Sequence, residues 1–132
     1  DYAVCLEGSL KLKEISYKSA EGYPAGELKH GTLALIDKGT PVFVISTDKN
    51  MHEKTIVSAE EVHSRGGVVV LVSPKSFSKG CSDFRIELQE FETTLCSLLA
   101  IIPLQQIALE TAVGLGKNPD KPRNLAKSVT VE

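Results

Sequence analysis

The stretch that best indicates the fold reads Leu6-Glu7-Gly8-Ser9-Leu10-Lys11-Leu12-Lys13-Glu14-Ile15-Ser16-Tyr17. It predicts an α-helix, with Asp1 as the candidate N-cap residue. Glu7, Lys11 and Glu14 stand at positions i, i+4 and i+7, so their side chains share one helix face. The remaining residues are mostly apolar, whereas a solvated helix carries a wide polar face. We expect the three charges to face a cleft or an interface; the alternative is an ordinary ion-pair ladder on the surface.

Three short runs farther along the chain predict β-strands. Residues 41–45 and 68–72 are apolar at successive positions, which is typical of strands buried on both faces, as in parallel sheets. Residues 84–88 alternate between apolar and polar side chains and predict a short strand nearer the edge of the sheet.

The segments between and after these runs predict helices. Asp48 or Asn50 can cap a helix that reaches about Ser64, and we interpret its histidines, His52 and His63, as surface residues. The expected buried side of this helix consists of Ile56, Val57, Ala59 and Val62. A long helix is predicted from residue 93 or 94 to 115, kinked or divided near its proline, Pro103.

The order of the predicted elements determines the fold class. Strands and helices alternate along the chain, which favours an α/β layer fold with a parallel sheet. Residues 117–132 show neither a helical nor a strand period, and two prolines discourage regular structure there. We find no internal repeat, no domain boundary and no glycine-rich phosphate loop.

Composition restricts the possible functions. The 132 residues suffice for one domain with a core, 42% are hydrophobic, and the formal net charge is −2. The sequence contains no basic patch that would predict nucleic-acid binding. Cys5, Cys81 and Cys96 lie far apart, which favours free thiols in a reducing, cytoplasmic compartment over disulfides or a zinc site. The longest apolar run, residues 95–104, is too short to span a bilayer.

Three motifs give the chain a specific resemblance. They are the opening helix stretch at residues 6–17, the segment Gly26-Glu27-Leu28-Lys29-His30-Gly31, and the tail Pro122-Arg123-Asn124-Leu125-Ala126-Lys127-Ser128-Val129-Thr130-Val131-Glu132. Together, and in this order, they resemble the isomerase half of the glutamine–fructose-6-phosphate aminotransferase family, also called glucosamine-6-phosphate synthases. The match runs almost end to end and covers the second sugar-isomerase (SIS) lobe of that family.

The resemblance implies a three-layer, flavodoxin-like SIS fold, with a mainly parallel sheet flanked by helices. The family has a strand before the first helix, so this chain is expected to lack one strand and to leave an open sheet position. Residues 1–132 are then the second lobe, and residues 117–132 form an irregular tail over the active site. The expected partners are the glutaminase domain, the first SIS lobe, a second subunit of a homodimer, and the sugar phosphates fructose-6-phosphate and glucosamine-6-phosphate.

The resemblance assigns the two central chemical roles. Lys127 is expected to form a Schiff base with the C2 carbonyl of open-chain fructose-6-phosphate, and Ala126 to contact the sugar through its backbone. Glu14 is expected to move the proton between C1 and C2, a task that suits a carboxylate. On spacing alone, Glu14 is also a candidate ion-pair partner of Lys11 or Lys18.

The other candidates have supporting roles. The resemblance gives His30 the opening of the sugar ring and places it in the active site of the other subunit. Lys11 can stabilise a developing oxygen anion, and Glu7 can orient Lys11 through an i,i+4 pair. Thr32 stands where the family commonly has proline, which leaves the backbone after His30 less restricted.

The implied activity is enzymatic, without an organic cofactor or a metal ion. Residues 1–132 alone are expected to be inactive with glutamine, because they contain no N-terminal cysteine nucleophile and no Ser/Thr-rich phosphate loop. Two alternatives stay open. SIS domains also serve as non-catalytic sugar-phosphate-binding modules, and an isolated lobe can act only in dimerisation.

Overall fold

The computed structural model describes residues 1–125, which form a parallel sheet with helices on both faces. The α-helices are α1 (Tyr2–Ser16), α2 (Lys49–His63), α3 (Thr93–Leu99) and α4 (Ile101–Gly114). The strands are β1 (Pro41–Ile45), β2 (Val68–Pro74) and β3 (Phe84–Leu88). Two 3₁₀ helices, Ala25–His30 and Thr32–Leu35, connect α1 to β1. This architecture confirms the predicted α/β class.

The three strands pair in the order β1-β2-β3, and both pairs are parallel. β3 lies at an edge, as its alternating pattern predicted, and β2 is central, with Val69, Leu71 and Val72 fully buried. Neighbouring side chains of β1 enter different cores because successive residues of a strand point to opposite faces. Phe43 and Ile45 join the core under α1, α3 and α4, whereas the neighbouring valines pack on the α2 side.

The connection from β2 to β3 is a loop without a helix, and it buries His52, which the sequence analysis interpreted as a surface residue. The loop passes over α2: Phe77 packs on the ring of His52 at 4.7 Å, and a Cβ on Gly80 would lie 2.7 Å from Ile56. His52, interpreted above as a surface residue, is only 3% exposed beneath this loop. Val57, expected on the buried side of α2, is 55% exposed. His63 is exposed, as predicted.

Hydrogen bonds compensate for the burial of the His52 imidazole. Its Nδ1 lies 2.8 Å from the hydroxyl of Ser46, at the end of β1, and its Nε2 lies 3.0–3.1 Å from the hydroxyl and carbonyl oxygens of Ser78. Buried polar groups need such partners, since losing one costs about 1–3 kcal/mol. Ser46 is also buried. We interpret this cluster as structural because neither the imidazole nor the Ser46 hydroxyl is open to solvent.

α1 and α4 pack closely because the contact residue of α1 is a glycine. A Cβ on Gly8 would lie 2.6 Å from Cδ1 and 3.1 Å from Cβ of Leu104. The predicted division of the last helix is confirmed: α3 ends at Leu99, and Pro103 stands in the first turn of α4. Proline is tolerated there because the first amides of a helix have no intrahelical acceptor.

Within residues 1–125, β1 pairs with β2 and with no other strand. Asp1 occupies the N-cap position of α1, but its carboxylate accepts hydrogen bonds from Thr47 instead of capping the helix. The backbone N–H and the hydroxyl of Thr47 donate to it over 2.9 and 2.5 Å. This contact holds the beginning of α1 beside the carboxyl end of β1. That a further segment covers the open edge of β1 stays a prediction.

The helical region Thr93–Gly114 is long and apolar enough to cross a membrane by length and composition. It is 22 residues long, and 28% of its most apolar window is buried. Core helices of soluble proteins can be equally long and apolar. The region exceeds the ten-residue run identified in the sequence because α3 and α4 are nearly continuous.

Candidate functional site

The charged stripe of α1 forms a compact ion cluster. Lys11 Nζ donates a hydrogen bond to Glu14 Oε2 at 2.7 Å and lies 3.6 Å from Glu7 Oε1. The hydrogen bond to Glu14 is the largest cause that raises the pKa of Lys11. All three side chains are partly exposed, between 28% and 44%. Lys11 is therefore a stable cation between two carboxylates, with access to solvent and to ligands.

Glu14 also lines an open cleft of about 580 Å³ between the end of α1 and residues 123–125. Neither Lys11 nor Glu7 contributes to its wall. The lining residues are Leu10, Lys13, Glu14, Tyr17, Lys18, Ser19, Arg123, Asn124 and Leu125. Among residues 1–125, the wall contains three cations and a single carboxylate, and these charges favour an anionic ligand. A carboxylate in such a place can act as a proton acceptor for a bound molecule.

His30 lies away from this cleft, on the other face of the sheet. Its 3₁₀ helix packs on the α2 side through Leu28, whereas α1 packs on the α4 side through Val4. The imidazole is exposed, and its Nδ1 lies 2.9 Å from Glu27 Oε2. The hydroxyl of Thr32 donates to the carbonyl of Leu28 at 3.1 Å and so ties the two 3₁₀ helices together. Within one chain, the structure does not bring His30 into the cleft of Glu14.

Ala126 and Lys127 lie outside the described residues, which end at Leu125. The three residues that precede them in the sequence do line the cleft. Arg123, Asn124 and Leu125 line it together with Glu14 of α1. The tail motif and the helix motif, more than 100 residues apart in sequence, therefore meet at one cleft.

Sequence reasoning did not identify the residue that joins these two motifs, Tyr17. Its hydroxyl oxygen accepts a hydrogen bond from the backbone N–H of Arg123 at 2.9 Å. The Arg123 guanidinium lies 4.3 Å from the centre of the Tyr17 ring, and Lys117 Nζ lies 5.8 Å from it. No local sequence pattern predicts these contacts, because the partners are 100 or more residues apart.

The described residues do not form an evident metal centre. Residues 1–125 contain no group of three or more histidine, cysteine or acidic side chains that could hold an ion. The three cysteines are free thiols. Burial raises the pKa of the Cys5, Cys81 and Cys96 thiols, which makes thiolate chemistry less favourable.

Comparison with known proteins identifies similar sequences along the whole chain. Residues 1–114 match the family model described as SIS domain. All 132 residues align with the isomerizing glutamine–fructose-6-phosphate aminotransferases of Bacillus licheniformis, at 51% identity, and Bacillus subtilis, at 49%. The chain spans 22% of the length of each of these relatives.

Solved structures with a similar fold include a C-terminal domain of glucosamine-fructose-6-phosphate aminotransferase from Francisella tularensis. Its TM-score is 0.85 at 37% identity, over 91% of this chain and 34% of that one. A glucosamine-6-phosphate deaminase from Thermotoga maritima has a TM-score of 0.75 at 30% identity, over 97% of this chain and 37% of that one.

Proposed function

The chain belongs to the SIS domain family, and on that premise we propose that it is the catalytic lobe of an isomerizing glutamine–fructose-6-phosphate aminotransferase. The full enzyme would make glucosamine-6-phosphate from fructose-6-phosphate and ammonia taken from glutamine. The observation that carries the proposal is the 49–51% identity to enzymes of that name along all 132 residues. The cationic cleft beside Glu14 supports it because the substrate is a phosphate ester.

In the proposed reaction, Lys127 and Glu14 carry out different steps. The amine of Lys127 attacks the C2 carbonyl of the open-chain sugar and forms a Schiff base with loss of water. Ammonia then replaces the lysine nitrogen at C2 and frees the amine. Glu14 removes a proton from C1 and returns it to C2, which turns the ketose skeleton into the aldose of the amino sugar.

The remaining candidates assist these steps. Lys11, held as a cation by Glu14, stabilises negative charge on a sugar oxygen during proton transfer. Glu7 orients Lys11 from the other side, over 3.6 Å. His30 opens the sugar ring by proton transfer, and the backbone of Ala126 contacts the sugar.

We assign this lobe three partners: a glutaminase domain, a first SIS lobe and a second copy of the subunit. The matched relatives are more than four times as long as this chain, which leaves room for the first two. The second copy is needed because His30 and Glu14 lie on opposite faces of the sheet in one chain. We place the enzyme in the cytoplasm because its thiols are free.

The test of this function is product formation by the purified full-length protein. With fructose-6-phosphate and glutamine, we expect glucosamine-6-phosphate and glutamate to appear in equal amounts. Omitting glutamine should stop synthesis, because the assay then contains no source of ammonia. The control is the protein inactivated in its glutaminase domain, supplied with the same two substrates.

Other results would identify the alternatives. Release of ammonia from glucosamine-6-phosphate, with no glutamine-dependent synthesis, would favour a deaminase, the activity named for the Thermotoga maritima structure. Saturable binding of fructose-6-phosphate without any turnover would favour a non-catalytic binding module. A protein that neither binds nor converts sugar phosphates would leave dimerisation as its role.

If His30 acts in the site of the other subunit, as we propose, two inactive variants should complement each other. When His30→Ala and Glu14→Gln subunits are mixed, one of the two sites in each heterodimer contains neither lesion. We therefore expect about half of the wild-type turnover per heterodimer, since a twofold dimer has two equivalent sites. The measurement is glucosamine-6-phosphate formation by heterodimers isolated with two different affinity tags.

A mixture of His30→Ala and His30→Gln subunits is the matched control, since every site in it lacks the imidazole. It should stay inactive. Inactive heterodimers of His30→Ala with Glu14→Gln would assign His30 to the site of its own subunit or exclude it from catalysis.

A further inference from the structure

Tyr17 ends α1 in a conformation that is unusual for its residue type. Its backbone adopts φ 61° and ψ 20°, the left-handed region, while its N–H still donates to the carbonyl of Lys13. Glycine or asparagine normally occupies such a position because a Cβ is unfavourable there. A tyrosine in this conformation implies that its side chain contributes something that a glycine could not.

The side chain of Tyr17 contacts the C-terminal segment in two ways. Its hydroxyl accepts the backbone N–H of Arg123 at 2.9 Å, and the guanidinium of Arg123 lies 4.3 Å from the ring centre. Lys117 reaches the same ring at 5.8 Å. Residues 117–125 contain neither a helix nor a strand, so no regular backbone pairing fixes their position. The Tyr17 ring thus serves as an anchor for this segment.

The anchor lies close to the proposed chemistry. Tyr17 and Arg123 line the same cleft as Glu14, and Asn124, with φ 60°, turns the chain there. Lys127 follows Leu125, a residue of the cleft wall, by two positions in the sequence. Fixing Arg123 therefore fixes the part of the chain that leads directly to the proposed nucleophile.

We propose that Tyr17 is a positioning residue: it anchors the C-terminal segment at Arg123 and so fixes the wall of the Glu14 cleft from which the chain continues to the proposed nucleophile, Lys127. This role rests on the function proposed above. Correct placement of two reacting groups contributes a large part of catalysis, and a displacement of about 1 Å can cost about 10²-fold in rate. Tyr17 need not touch the sugar to have this effect.

The test compares two substitutions in the full-length enzyme. Tyr17→Phe removes only the hydrogen-bond acceptor, and we expect kcat to fall about 3- to 10-fold. Tyr17→Leu removes the stacking surface as well, and we expect a fall of about 10²-fold. KM for fructose-6-phosphate should change less than twofold in both, because the groups proposed to contact the sugar are retained. kcat is calculated per folded enzyme, with the folded fraction measured by circular dichroism, so that a general loss of stability does not lower it.

A second measurement detects the anchor independently of activity. Amide hydrogen exchange of residues 117–125 should become faster in both Tyr17 variants, and least so in Tyr17→Phe. The control is Tyr23→Phe, whose lost hydroxyl bonds the exposed Glu21. It should leave exchange in residues 117–125 unchanged.

Each outcome decides the proposal. Faster exchange together with a reduced kcat supports it, whereas unchanged exchange in both Tyr17 variants overturns the anchor. Faster exchange with an unchanged kcat shows an anchor without a catalytic consequence and overturns the positioning role. A wild-type enzyme that makes no glucosamine-6-phosphate overturns the proposed function and the positioning role together. The exchange data would then separate that failure from a failure of the anchor.

Discussion

Glu14→Gln should lower glucosamine-6-phosphate synthesis by about 10²–10⁴-fold, the usual effect of removing a general base. Glutamine has nearly the same shape as glutamate, so sugar-phosphate binding should be largely retained. The amide cannot accept the C1 proton, and exchange of that proton with solvent should therefore stop. The measurement is loss of label from C1-deuterated fructose-6-phosphate, followed by NMR, beside steady-state kcat and KM.

Two further glutamates provide comparisons for this variant. Glu53→Gln, an exposed position on α2, makes the same chemical change away from the cleft and should leave both rates unchanged. Glu7→Gln should have a smaller effect than Glu14→Gln because Glu7 lies farther from Lys11 and does not line the cleft. Solvent exchange at C1 that proceeds normally in Glu14→Gln would exclude Glu14 as the base.

Lys127→Arg should abolish synthesis and covalent trapping together. A Schiff base requires a neutral amine, and a guanidinium stays protonated in proteins. Borohydride reduction of the wild-type enzyme with fructose-6-phosphate should leave a hexitol-phosphate adduct on the C-terminal peptide. The Lys127→Arg enzyme should show no such adduct by mass spectrometry, and its turnover should fall to the level of the assay blank.

Lys121→Arg provides the matched control, since it makes the same exchange at an exposed lysine of the same segment. It should keep the adduct and most of the activity. An adduct mapped to Lys11, or one that persists in Lys127→Arg, would contradict the assignment. The raised pKa of Lys11 argues against it as the nucleophile because a stable ammonium has no free lone pair.

The family resemblance depended on motifs that are local in sequence, and local spacing also described much of the fold. The i, i+4, i+7 spacing on α1 brought Glu7, Lys11 and Glu14 together because helix geometry alone sets which residues share a face. The continuous apolar runs in β1 and β2 correctly indicated parallel strands covered on both faces. Pro103 correctly indicated the division of the last helix, since its effect on the backbone needs no distant partner.

The errors arose where a distant segment covers a residue. His52 lies on α2 among charged neighbours, and its burial depends on a loop that arrives 25 residues later with Phe77. Periodicity describes one element at a time and contains no information about such a loop. The exposure of Val57 has a similar origin, because the position of the sheet decides which side of α2 is buried.

The amino-acid sequence by itself determined the elements, their parallel class and the charged stripe, because backbone geometry and residue spacing govern these features. Only the tertiary structure decided that Glu14 lines a cleft, that His30 lies on the opposite face of the sheet, and that Tyr17 holds Arg123. These three features depend on contacts between residues far apart in sequence. Chain topology and close packing set such contacts, and no local pattern records them.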